Sequence, residues 1–338
     1  MKVLVTGGAG YIGGTICSAL EDQGHTPVVL DSLVTGARAF TANRSFYEAD
    51  IADADSVARL FRDHPDIACT IHCAALIVVP ESTRDPHLYY QENVAKSLSL
   101  FKSLVDNGCR RIVFSSSASV YGTVPGFMVT EDAPIAPGSP YARTKVVMEM
   151  ILEDFCRAYD LRGVALRYFN PIGADPRLRS GNPVKDPSQV IWRLVRTALG
   201  QLPEFQITGT DYDTRDGTGV RDYIHVWDLA RAHVLAVERF DQLFAPGAEN
   251  RYRAINLGTG TGVTVRELVA AFEEVFGRPI SKCDAARRPG DVAGAYANAD
   301  RAAKLLGWRA ELSIQEGIRD ALRWGAVRDG VLGLGGIA

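Results

Sequence analysis

Long apolar runs are missing from this 338-residue sequence: no stretch of 18 residues is apolar enough to offer a membrane span. No sign of charge is in excess. Thirty-seven Lys and Arg against 40 Asp and Glu leave a net charge of −3, which excludes the broad basic surface of a nucleic-acid binder. Neither a nucleic acid nor a membrane is therefore expected as partner, although a local basic patch could still hold an anionic small molecule. Cysteine is scarce and scattered (Cys17, Cys69, Cys73, Cys109, Cys156, Cys283), with no C-x-x-C pair, so no disulfide framework and no metal centre are expected. Met1-Lys2-Val3-Leu4-Val5 runs straight into a glycine turn and leaves no room for a signal peptide, so a cytoplasmic location is expected. What remains, 46% hydrophobic and 23% charged residues, is the composition of a globular chain, long enough for about two domains.

The first half alternates β-rich apolar runs with helical patterns. Strands are predicted at Lys2–Thr6, Thr26–Leu30, Ala68–Cys73, Arg111–Ser115 and Val164–Tyr168. Helices are predicted from about Tyr11 to Gly24 and around Asp53–Asp63, Pro86–Val105 and Tyr141–Tyr159. Short strands buried on both faces and joined by helices predict an α/β fold with a doubly wound, Rossmann-type parallel sheet. Near Pro171 the chain turns irregular and rich in Pro, Gly, Arg and Asp, with helices again near Ser188–Leu199, Val226–Arg239, Val265–Phe276 and Ile314–Trp324. Residues 1–170 are read as one domain, with return segments near 220–260, and residues 171–330 as a smaller mixed α/β substrate domain. The last residues, Gly330–Ala338, read as a frayed tail.

Between the first strand and first helix lies Thr6-Gly7-Gly8-Ala9-Gly10-Tyr11-Ile12-Gly13, a G-x-x-G-x-x-G spacing. Glycines there allow a tight turn and close approach of backbone to a pyrophosphate, while the helix N-terminus offers N–H groups to the phosphates. Asp31 closes the second strand 18 residues after Gly13, where a carboxylate accepts both ribose hydroxyls and repels a 2′-phosphate, favouring NAD over NADP. Three glycines alone would be no more than a turn; strand, helix and acid in register make it a cofactor site.

Tyr141 and Lys145 stand at i, i+4 on one helical face. A tyrosine of ordinary pKa near 10 is almost wholly protonated at neutral pH, and a nearby cation, aided by a nicotinamide charge, is expected to lower that value and make it a general base. Ser115-Ser116-Ser117 ends the preceding strand at the carboxyl edge of the sheet, where ligands bind in such folds. The Y-x-x-x-K spacing is common by chance in helices, and its weight comes from this setting.

Together with the glycine turn, four further runs carry a resemblance. They are Phe114-Ser115-Ser116-Ser117-Ala118-Ser119-Val120-Tyr121-Gly122, Arg167-Tyr168-Phe169-Asn170-Pro171, Asp216-Gly217-Thr218-Gly219-Val220-Arg221-Asp222-Tyr223-Ile224-His225-Val226 and Arg287-Arg288-Pro289-Gly290-Asp291. From about Lys2 to Trp324 the sequence resembles the UDP-glucose 4-epimerase family of extended short-chain dehydrogenases/reductases. The resemblance implies that NAD lies along Gly7, Gly10, Tyr11, Ile12, Gly13, Asp31, Ser32, Asp50, Ile51, Cys73, Ala74, Asn93, Ser115, Tyr141, Lys145 and Tyr168. It implies contacts to a UDP-hexose from Ser117, Tyr141, Phe169, Asn170, Gln189, Arg221, Tyr223, Arg288, Asp291 and Ala295. Ser117 and Tyr141 would act on the 4-hydroxyl, and Lys145 would hold the nicotinamide ribose. A homodimer pairing the helices around Pro86–Val105 and Tyr141–Tyr159 is implied as well.

The sequence departs from this pattern in two places. Ile77 replaces a lysine that many relatives carry after the third strand, and Gln189 replaces an asparagine at the nucleotide. Four residues after Asp291, where relatives gate the space beside the sugar C2 substituent, stands the small Ala295, so N-acetylated UDP-sugars are expected to enter. A nucleotide-sugar dehydratase is disfavoured, because no carboxylate follows Ser117. A UDP-glucuronate 4-epimerase stays open through Arg177 and Arg179 as cations for a substrate carboxylate, as does a nonenzymatic NAD-sensing protein on the same fold.

Overall fold

The computed structural model describes residues 1–244, 250–288 and 290–334. Seven parallel strands form its central sheet: β1 (Lys2–Thr6), β2 (Thr26–Asp31), β3 (Ser45–Glu48), β4 (Ile67–His72), β5 (Arg111–Ser115), β6 (Arg162–Tyr168) and β7 (Tyr252–Leu257). Their order across the sheet is β7-β6-β5-β4-β1-β2-β3. The inner strands are almost wholly buried because helices cover both faces, and a separate apolar cluster fills each face. Chain order reverses between β1 and β4, which opens a cleft at their carboxyl ends.

Two strands of this sheet were not among those predicted. β3 (Ser-Phe-Tyr-Glu) is an edge strand with no buried residue, so it lacks the apolar run that marks an inner strand. β7 comes from far beyond residue 171 and closes the other edge against β6, within the span where the chain was expected to return.

The helix expected around Pro86–Val105 is not regular. It runs as Pro86–Tyr89, a π-helical turn Tyr90–Ala95, and Lys96–Asp106. The wide turn swings Asn93 fully inward, where its carboxamide accepts from Leu76 N at 2.8 Å and donates to Leu76 O at 2.9 Å and Thr144 Oγ1 at 3.1 Å. Three tertiary hydrogen bonds therefore compensate for the weaker helical geometry.

Beyond β6 the chain builds a second layer of short strands: Val263–Thr264, Val220–Arg221 and Gly294–Ala297 form one sheet with Met128–Val129, contributed from between β5 and β6, and two small pairs lie beside it. The helices Val190–Ala198, Val265–Phe276 and Ile314–Val331 pack over a third apolar cluster that includes Trp192 and Trp324. The last helix opens with a capping box, Ser313 with Glu316, and continues to Val331. It thus overruns both its expected end at Trp324 and the start of the expected frayed tail; Gly335–Ala338 lie outside the described residues. Among the described residues no helix is long and apolar enough to cross a membrane.

Candidate functional site

Strand β1 delivers Gly7 into the cleft with φ +72°, and a Cβ there would sit 2.7 Å from Ala74 N, just past β4. A Cβ on Gly13 would meet Gly7 O at 2.1 Å. The turn is therefore a cradle that only glycine permits, closed by Gly10 N donating to Gly7 O at 3.0 Å and opening into the helix Tyr11–Asp22. Asp31 ends β2 and is buried; its oxygens accept from Ala9 N at 2.9 Å and Leu33 N at 2.8 Å, while burial raises its pKa. A shallow glycine cradle, a free helix N-terminus and a carboxylate at the next strand end fit the pyrophosphate and ribose of NAD.

Other residues predicted at the cofactor fall in or around this cleft, but not all with a free side chain. Tyr11 donates to Gly173 O at 2.6 Å, Ile12 packs on the core and Ser32 is exposed beside Asp31. Asp50 pairs with Lys96 at 2.6 Å and Ile51 is buried in the sheet-face cluster. Asn93, expected to contact the cofactor, has its whole amide engaged by Leu76 and Thr144, so what it fixes is the loop before Ile77. Ile77 itself is 47% exposed.

Ser139 caps the helix Pro140–Ala158, whose first residue is the predicted proline start, and the helix projects Tyr141, Lys145 and Glu149 along one face. Lys145 Nζ donates to Ser115 O at 3.0 Å and lies 4.9 Å from the Phe114 ring centre. Burial pushes its pKa down to about 8, against the raising influence of Cys73 and Glu149. The tyrosine pKa expected to be lowered is instead raised in the protein alone, because burial dominates; the Ser117 hydroxyl is the group that opposes it. The Lys145 ammonium is committed to the Ser115 carbonyl and the Phe114 face.

Ser117 accepts from Ser119 N at 3.2 Å and Ser119 Oγ at 2.9 Å, so its own proton is left for Tyr141 or a ligand. Ser119 stands inside the serine run of the sequence but was not singled out there. Behind Ser115 lies His233, which also went unnoticed. Its Nδ1 donates to Leu229 O at 2.8 Å, which makes Nε2 the acceptor for the Ser115 hydroxyl at 2.8 Å. Burial keeps His233 neutral, lowering its pKa to about 4. Cys73 Sγ sits 3.1 Å from the same hydroxyl, and the Tyr168 ring lies 6.2 Å from His233.

The second layer brings the expected substrate residues opposite. Tyr223 pairs in register with Asn170, and Arg221 with Ala295. Ala295 packs on a cluster containing Ala118, Tyr121 and Phe169. Arg221 donates to Val220 O at 2.8 Å and Val292 O at 2.9 Å, and pairs with no carboxylate among the described residues. Asp291 N closes a turn on Arg288 O at 3.2 Å. Gln189 precedes the helix Val190–Ala198 without capping it through its side chain, which instead takes a hydrogen bond from Asn182 at 3.3 Å. Between Arg221 and Tyr223, the fully buried Asp222 accepts from Thr259 N and Oγ1, Gly260 N and Ala297 N at 2.7–3.1 Å.

Arg177 and Arg179, held open above as cations for a substrate carboxylate, are both committed. They pair with Asp22 at 3.0 and 2.8 Å, and Arg179 also pairs with Asp175. These contacts fasten the loop to the helix Tyr11–Asp22, and Arg179, paired with two carboxylates, is the more fully committed of the two.

Residues 3–258 match the NAD dependent epimerase/dehydratase family. A UDP-glucose 4-epimerase from Bacillus subtilis (strain 168) is 43% identical over 335 residues, covering 96% of each chain. Among solved structures, the chain is similar to a UDP-glucose 4-epimerase from Stenotrophomonas maltophila with bound NAD and formylated UDP-arabinopyranose. The TM-score is 0.90 and the identity 40%, over 98% of this chain and 99% of that one. One from Bifidobacterium longum in complex with NAD+ and UDP also gives 0.90, at 36% identity over 96% and 98%. With the glycine cradle, the Tyr141–Lys145 helix and these matches in agreement, the chain belongs to the NAD dependent epimerase/dehydratase family.

Proposed function

We propose that the chain interconverts UDP-glucose and UDP-galactose by inverting C4 through a 4-keto sugar, with NAD as resident cofactor. The observation that carries this reading is the convergence of Ser117, Tyr141 and Lys145 at the carboxyl edge of the sheet, beside the glycine cradle. NAD, when bound, supplies the hydride acceptor and donor that oxidation and reduction at C4 require.

The chain's own residues handle protons and charge. Tyr141, as phenolate beside the Lys145 cation, takes the 4-hydroxyl proton and becomes a phenol, then returns that proton when the keto group is reduced. Ser117, whose oxygen already accepts from Ser119, offers its own hydroxyl proton to the reacting oxygen. Lys145, with a pKa of about 8, is mainly a cation at pH 7 and keeps positive charge beside the reacting centre. Arg221 and Arg288 take the diphosphate, for which a guanidinium fork is well shaped. Asp291 takes the uridine ribose. The small Ala295, next to Arg221, leaves room at C2, so N-acetylated UDP-sugars are substrates too.

On this reading residues 1–170 with returning β7 are the cofactor half, and residues 171–330 the sugar-nucleotide half. The protein is a homodimer, built where Leu98 and Met150, on two neighbouring helices, and Tyr90 and Tyr159 at their ends lie 38–58% exposed. Light scattering at micromolar concentration gives a twofold mass; a monomeric mass excludes the dimer.

Supplied with NAD, the purified protein converts UDP-galactose to UDP-glucose, read by a coupled UDP-glucose assay. Tyr141→Phe folds and binds NAD but loses about 10²–10⁴-fold in turnover. No UDP-glucose from the wild type, or near-normal turnover of the variant, refutes the reading.

A further inference from the structure

Tyr212 sits in the turn between the strands Phe205–Thr208 and Val220–Arg221, and almost everything about it is already satisfied. Its backbone N–H donates to Gly217 O at 2.9 Å and its carbonyl accepts from Thr214 N at 2.9 Å. One side of the ring lies against Gly209, where a Cβ would stand 2.6 Å from a ring carbon. The Arg287 guanidinium covers the ring, 3.9 Å from its centre. Arg287 is in turn held by Asp211, through Nε to Oδ1 and Nη2 to the carbonyl, both at 2.6 Å. The ring thus lies between Gly209 and the Arg287–Asp211 ion pair.

The hydroxyl is the exception. Tyr212 is 9% exposed, yet its Oη has no hydrogen-bond partner among the described residues. A buried hydroxyl without a partner is costly and calls for an explanation. Asp291 and Arg221 are the charged groups beyond the Arg287–Asp211 ion pair that act on it, and these residues stand at the nucleotide end of the proposed site. Burial first, and Asp291 next, hold the phenol above its ordinary pKa, so it stays protonated and able to donate. Arg221 meanwhile donates from Nη1 and Nη2 to carbonyls of its own strand and of the segment at Val292, which orients it and leaves its Nε–H and one Nη2–H for a ligand.

We infer that the Tyr212 hydroxyl is a preformed hydrogen-bond donor to the diphosphate of the nucleotide-sugar, held in place by the Arg287–Asp211 ion pair. The inference rests on the proposed nucleotide-sugar reading and adds to it a contact that no motif marked. A charged acceptor arriving between Arg221 and Asp291 completes the bond that the folded protein leaves open at this hydroxyl. A hydrogen bond to a charged acceptor of this kind is worth at least about a tenfold change in affinity.

Tyr212→Phe removes only the oxygen. Titrating UDP into the NAD-loaded protein, the variant binds about tenfold more weakly. KM for UDP-glucose rises by a similar factor and kcat stays within about twofold, because the hydroxyl is remote from C4. Uridine, which lacks the diphosphate, binds both proteins equally. Without nucleotide the variant melts at or above the wild-type temperature, since it has lost an unpartnered buried group. A lower melting temperature with unchanged UDP affinity assigns the hydroxyl a structural role and overturns the inference. So does a loss of affinity shared equally by uridine. If the wild type itself fails to bind UDP, the proposed function falls and takes this contact with it; wild-type turnover with an unaffected variant removes the contact alone.

Discussion

Glu149 and Arg167 form an ion pair almost wholly inside the protein, 6% and 7% exposed, and its removal gives a sharp test of how the catalytic helix is held. The carboxylate takes four donor groups. Arg167 offers Nη2 at 2.6 Å and Nε at 3.0–3.2 Å, Tyr252 its hydroxyl at 2.8 Å, and Ser116 its hydroxyl. Arg167 Nη1 donates onward to Tyr121 Oη at 2.9 Å, and Tyr121 donates to Asn256 at 2.6 Å. Glu149→Leu leaves a buried guanidinium uncompensated, a change that typically costs about 3–5 kcal/mol out of a total stability of about 5–15. In urea, with m of about 3 kcal/mol/M, the midpoint drops by about 1–1.7 M. Adding Arg167→Met removes the uncompensated charge and recovers part of the loss, the remainder being the Ser116 and Tyr252 hydroxyls left without their acceptor. Turnover of the single variant also falls, because Ser116 adjoins Ser117 and Glu149 lies two helical turns from Tyr141. A single variant within about 1 kcal/mol of the wild type, or a double variant no better than the single, refutes this account.

His72 and His233 are held neutral by burial, with pKa values lowered to about 3 and about 4. An unfolded chain protonates them near 6.5, so below that pH it binds more protons than the folded one and stability falls with acidification. The two together remove about 3 kcal/mol between pH 6.5 and 5, and His233→Gln reduces that loss by about half; urea titrations giving a flat profile over this range contradict it. Ala295→Tyr fills the space beside C2, so kcat/KM for UDP-N-acetylglucosamine falls at least about tenfold against UDP-glucose. An unchanged ratio, or a wild type inactive on the N-acetylated sugar, shows that Ala295 is not the gate.

Much of the cofactor cleft is legible in sequence because local sterics write it there. Only glycine survives at Gly7 and Gly13, and only a strand end places Asp31 beside them. Tyr141 and Lys145 are readable for a similar reason, since one helical turn sets their spacing. The unread features depend on tertiary partners. β3 is an exposed edge whose four residues carry no inner-strand pattern. The π-helical turn contains neither Pro nor Gly, and it exists because Asn93 finds Leu76 and Thr144 across the fold. Arg177 and Arg179 look like available cations until the fold brings Asp22 and Asp175 to them. The Tyr141 pKa runs the same way: spacing predicts a nearby cation, but burial, which no spacing reveals, decides its direction.

Asp222 has a consequence for how a ligand moves. Its carboxylate draws in Thr259 and Gly260, which continue from β7, and Ala297, two residues from Ala295, while its carbonyl accepts Asn170 N at 3.0 Å just past β6. On the opposite flank, Thr15 meets Ser180 at 3.1 Å, and Arg177 and Arg179 rivet the neighbouring loop to Asp22. The two walls of the chamber are therefore stitched together along both margins, and a clamshell opening would have to rupture buried hydrogen bonds. On the proposed reading, a keto sugar that must present its other face turns between two walls held at a fixed span.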